Sequence, residues 1–112
     1  MISDRVWEYT LENLNKLNQN YHGFLLAAKA IFDDLNAKGV FNNVNPKSNA
    51  AALTYLICSC LDKKITQYDV YVLTNITMNT IGVISRKFHP IIREDMDLYW
   101  ELMEHVVETR NT

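Results

Sequence analysis

Two basic pairs, Lys63-Lys64 and Arg86-Lys87, with His89 close behind the second, are the densest group of chemically useful side chains in this sequence. Cations gathered in this way can neutralise phosphates; the alternative is that they are ordinary solvated charges. A reaction centre finds little support. His22, His89 and His105 lie far apart, without a His-x-x-x-His or Cys/His pattern, and none accompanies a plausible nucleophile. Asp33-Asp34 and Glu94-Asp95 are adjacent pairs, which on a helix point to different sides and suit solvated faces better than an acid/base couple. Cys58 and Cys60 sit about 200° apart around a helix axis, so they are not expected to pair. The expectation is a protein with no catalytic residues, no metal and no cofactor.

Net charge limits what the basic pairs can do. Residues 1–90 carry a balance of +2 and residues 91–112 a balance of −4, giving −2 for the 112 residues. An acidic chain is a poor non-specific binder of nucleic acid, so any phosphate contact must come from a local patch. The chain is 48% hydrophobic, enough for one domain with a real core. Its longest apolar run falls well short of the roughly 20 residues that span a bilayer. Met1 is followed by Asp4 and Arg5 rather than by an apolar stretch, which predicts no secretory signal and an intracellular protein, cytoplasmic in a prokaryote or infected cell and nuclear in a eukaryote.

The elements that must hold these side chains read as six helices and no strand. Asn45 to Leu61 is apolar nearly all round, with Asn45 as N-cap, Pro46 at the first helical position and three alanines at its entry. A helix with no polar face belongs in the middle, with Leu53, Leu56 and Ile57 among the most buried side chains. Before it, an amphipathic helix from Ser3 to Asn18 is capped by Ser3 or Asp4, and a second from His22 to Lys38 ends at Gly39. Val40 and Phe41 tuck under the core, and Asn42, Asn43 and Asn45 satisfy their own backbone. After it, Thr66 and Asp69 form a capping box, a two-turn helix ends at Asn75 in a left-handed turn, Ile76 points inward, and Thr77 caps a helix from Met78 to Phe88. His89-Pro90 closes that helix. A last amphipathic helix from Ile91 to Thr109 carries Ile92, Met96, Tyr99, Met103 and Val106 on one stripe and is expected to lie along the first helix at Trp7 and Leu11.

The two short helices between Thr66 and Phe88 have the length and turn of a helix-turn-helix. Ala37-Lys38-Gly39-Val40, Asn49-Ala50-Ala51-Ala52-Leu53-Thr54-Tyr55, Lys64-Ile65-Thr66-Gln67-Tyr68-Asp69-Val70 and Asn75-Ile76-Thr77-Met78-Asn79-Thr80-Ile81 follow one another in an order that resembles one cyclin-like repeat of the transcription factor B and transcription factor IIB family. The match runs from Asp4 to Phe88. The resemblance implies an all-α, five-helix cyclin-like domain containing a helix-turn-helix, with the sixth helix added. It implies contact with duplex DNA and with a transcription-factor protein. By position, the DNA contacts would be Thr66, Gln67, Asn79, Thr80, Arg86 and Lys87, with Lys63 and Lys64 on phosphates. The sequence departs from the family at Tyr71, where a small residue is usual, at Asn75 in place of the turn glycine, and at Gly82 in place of a recognition-helix arginine. It shows neither a second repeat nor a zinc ribbon.

Two readings therefore stand side by side. One is a stand-alone transcription-type module that touches DNA through the helix-turn-helix; the other is a protein-interaction or oligomeric scaffold that does not. Tyr99, Trp100 and Met103 on the last helix are either core or a face for a partner or a homodimer, since Trp and Met are enriched at such faces.

Overall fold

Asn45 and Pro46 start the central helix as their chemistry dictates. The Asn45 side chain accepts the N–H of Lys47 at 2.8 Å, and Pro46 occupies a position whose N–H would have no intrahelical partner. The computed structural model describes the backbone of residues 2–41 and 45–111 and the side chains of residues 4–41 and 45–104. Asn42, Asn43 and Val44 lie outside it, as do the side chains of Ser3, His105, Val106 and Val107. The described residues form α1 (Ile2–Lys16), α2 (His22–Ala37), α3 (Pro46–Cys60), α4 (Gln67–Thr74), α5 (Met78–Ile92) and α6 (Met96–Asn111), with a 3₁₀ turn over Arg93–Asp95 and no strand among them.

α3 is the axis of the fold. It packs on α1, α2, α4 and α5, and Ala50, Ala51, Ala52, Leu53 and Ile57 are fully buried. The alanines let neighbouring backbones approach closely, while the leucines and Ile57 fill the space between them. α1 is held against α3 by a polar contact as well: the Asn13 amide donates to the Thr54 hydroxyl at 3.1 Å, which donates in turn to the Ala50 carbonyl at 2.7 Å. Phe41 is buried after the helix-ending Gly39, which adopts φ 68°. Its ring stacks on Phe32 at 5.3 Å and meets Phe88 edge-on at 5.5 Å, joining α2 to α5.

Four boundaries or packings differ from expectation. α1 begins at Ile2, so Asp4 lies inside its first turn, and it ends at Lys16 before Asn18 turns left-handed at φ 59°. α5 does not stop at Phe88; it continues through His89 and Pro90 to Ile92. Pro90 has no N–H to give the Arg86 carbonyl, a cost of roughly 3 kcal/mol in a helix interior. The added turn fully buries Ile92 and packs Ile91 on the core, which offsets much of it. The residues expected to open the last helix therefore close the previous one, and α6 starts at Met96.

The fourth difference is the seat of α6, whose main neighbour is α2 rather than α1. The Tyr99 hydroxyl donates to the Asp34 carboxylate, and the Tyr21 hydroxyl donates to the Met103 sulfur at 3.2 Å. Trp7 instead packs its ring 5.4 Å from Phe32. Tyr99 is fully buried and Met103 nearly so, and Trp100 packs half-buried against the same core. Tyr99 and Met103 are thus part of the core, and Trp100 lies at its edge.

Candidate functional site

α4 is a helix of only eight residues, and local hydrogen bonds fix it and the start of α5 in place. The Thr66 hydroxyl accepts the Asp69 N–H at 3.1 Å, and the Asp69 carboxylate accepts the Thr66 N–H at 2.8 Å. Asn75 ends α4 at φ 62°. The Thr74 hydroxyl donates to the Val70 carbonyl at 2.7 Å and accepts the Ile76 N–H at 3.2 Å, fixing the turn, and Thr77 caps α5 by accepting the Thr80 N–H at 3.2 Å. Beneath the pair is a small core of its own, Ala51, Val70 and Ile81, with Tyr55, Ile65 and Ile76 packed around it.

α5 turns one stripe to solvent. Ile81, Ile84, Ser85, Phe88 and Ile92 face inward, and Asn79, Val83, Arg86 and Pro90 face out, with exposed Lys87 beside them. The side chains of Gln67 and Arg86 both reach Gly82: a Cβ there would stand 3.1 Å from an Arg86 guanidinium nitrogen and 3.4 Å from the Gln67 amide nitrogen. The missing side chain makes a dimple, and the arginine one turn later lies over it. Arg86, Lys87, Lys64 and His89 make no ion pair among the described residues.

Gln67 and Arg86 are therefore brought together, with Asn79 and Lys87 on the same helix. Thr66 and Thr80 sit at the edges with their hydroxyls used in capping, the latter accepting from Thr77 at 2.9 Å. Lys64 is exposed. Lys63 is directed elsewhere: its ammonium lies 4.9 Å from the centre of the Tyr21 ring and 5.7 Å from that of Phe24, at the start of α2.

The sequence reading passed over an apolar part of this surface. Tyr68, Tyr71 and Val72 on α4 and Met78 and Val83 on α5 are exposed, Val72 at 64% and Tyr68 at 60%. The signal was present, because Gln67–Thr74 is apolar at too many positions for one buried face, and only Val70 is buried.

Burial makes both cysteines weakly acidic thiols. Both are free; burial pushes the Cys58 thiol up to about 12, partly opposed by Lys63, and burial raises Cys60 to about 11. Among the described residues no cluster of His, Cys, Asp or Glu could hold a metal, and no helix is long and apolar enough to cross a membrane. Comparison of this chain with family models, curated proteins and solved structures finds no match.

Proposed function

We propose that this chain is a non-enzymatic binding module of the transcription type that its sequence resembles, a single cyclin-like repeat acting inside the cell, with α4–α5 as a helix-turn-helix on duplex DNA. The observation that supports this reading is that Gln67 and Arg86 both reach over Gly82. The family's recognition-helix arginine is missing at position 82, and a guanidinium from position 86 covers the same spot, beside Asn79 and next to the exposed Lys87. Guanidinium and amide side chains are the groups that read guanine and adenine edges in a major groove. Lys64 and Lys87 would bear on phosphates; Lys63, held over aromatic rings, would contribute less.

Titration with promoter-like and random duplexes at two salt concentrations tests this. Binding that weakens steeply with salt and prefers some sequences is expected; no binding at low salt overturns it.

A second reading is favoured by a specific observation. The exposed Tyr68, Tyr71, Val72, Met78 and Val83 suit a protein surface better than a phosphate backbone. On that reading the same two helices seat a transcription-factor protein or a second copy of the chain, and DNA is not bound.

A further inference from the structure

An open groove of about 280 Å³ runs between α3, the start of α4 and the second half of α5. Its polar walls are Tyr55 and Ser59 from α3, Gln67 from α4, and Ser85, Arg86 and His89 from α5. Leu56 and Pro90 complete the lining, and no carboxylate is part of it. Only one of the six polar side chains is committed to the fold: Ser85 is nearly buried, and its hydroxyl donates to the Gly82 carbonyl at 3.2 Å. The other five make no hydrogen bond or ion pair with the rest of the described chain.

We propose that this groove is a binding site for a phosphoryl group. It is concave, it carries the fixed positive charge of Arg86, and its donors come from three helices. A planar carboxylate is satisfied by one guanidinium fork. A tetrahedral anion takes donors from several directions at once, which the hydroxyls of α3, the amide of α4 and the guanidinium and imidazole of α5 supply. Acidic side chains, which would repel such an anion, are absent from the lining. Gly82 contributes by absence, since a Cβ there would crowd the Arg86 guanidinium at 3.1 Å and stand in contact with Gln67, two of the groove's lining side chains. The site shares Gln67 and Arg86 with the reading of α4–α5 as a DNA contact but does not require it. The groove holds a free or small-molecule phosphate when those two side chains are not engaged on a duplex.

The test is a nuclear magnetic resonance titration of the full chain with sodium phosphate against sodium chloride at matched ionic strength. Saturable shifts centred on Ser59, Gln67, Ser85, Arg86 and His89 are expected, with a dissociation constant near the millimolar range. In Arg86→Gln the affinity should fall about ten-fold or more. Gly82→Ala should weaken binding as well, and both variants are to be checked for an unchanged circular dichroism spectrum. A parallel titration with methyl phosphate and dimethyl phosphate distinguishes the source. Tighter monoester binding supports a small-molecule or free phosphate, and tighter diester binding supports a nucleic-acid backbone phosphate. No saturable shift up to about 50 mM of any of the three, or shifts that persist undiminished in Arg86→Gln, would overturn the proposal.

Discussion

The Tyr99 hydroxyl donates to the Asp34 carboxylate, and through that bond the last helix is tied to α2 inside the core. Burial, then the hydrogen bond and charge of Asp34, push the phenol above its ordinary value. The Cys58 thiol is raised from 9.0 to about 12 by burial. Both groups are neutral in the folded chain, and both give up protons more readily once unfolded. The stability they contribute is fully present below the unfolded values and is lost as pH rises through the folded ones. Resistance to urea should therefore fall steadily from about pH 9 upward, and a Tyr99→Phe/Cys58→Ala double variant should show a flatter decline. At pH 7, Tyr99→Phe alone should cost about 1–2 kcal/mol, because the half-exposed Asp34 can recover water.

Asn49 presents the opposite case. It is fully buried in the entry turn of α3, and among the described residues neither its amide nitrogen nor its oxygen has a hydrogen-bond partner. A buried polar group without a partner costs about 1–3 kcal/mol, and replacing it by an apolar group of similar shape removes that cost. Asn49→Leu should leave stability unchanged or raise the melting midpoint, whereas Leu53→Ala, one helical turn later, should lower stability by about 2–5 kcal/mol through the cavity it opens. A large loss in Asn49→Leu would show that the amide is satisfied in solution by ordered water.

Most of the architecture was legible in the sequence because it rests on local chemistry. Asn45-Pro46, Thr66 with Asp69, Asn75 and Thr77 each mark a helix end by a side-chain bond or a left-handed turn, and each is found where its residue type requires. The end of α5 was not legible. Pro90 is a strong local stop signal, and it is overridden by the burial of Ile92, which depends on residues far along the chain. The seat of α6 failed for a related reason: its stripe could be read, but the stripe that receives it could not be chosen between α1 and α2 without the Asp34–Tyr99 pairing. At the candidate site Arg86 and Lys87 were legible as exposed cations. Their companions Tyr55, Ser59 and Ser85 were not, because they come from separate helices and carry no spacing signal of their own.

Removing α6 tests how far that helix belongs to the domain. Truncation after Ile92 keeps all of α5 and uncovers the face of α2 against which Tyr99 and Met103 are buried. The shortened chain should lose cooperative thermal unfolding or expose apolar surface to a hydrophobic dye. A truncated domain that melts as sharply as the full chain, and that differs only in light-scattering mass, would instead make α6 an assembly element.

Gly82 sets stability against binding within one residue. In a helix interior, alanine is favoured over glycine by about 1 kcal/mol, so on backbone grounds Gly82→Ala should stabilise α5. The new Cβ would meet an Arg86 guanidinium nitrogen at 3.1 Å and the Gln67 amide at 3.4 Å, both far ends of flexible side chains that can move aside at little cost. The expected outcome is a melting midpoint that is unchanged or raised, together with weaker binding of whatever the α4–α5 surface and its groove engage, because the group displaced is the Arg86 guanidinium. A glycine kept only for close helix packing would give the reverse, a lower midpoint with binding unaffected, and measuring both quantities on the same variant separates the two cases.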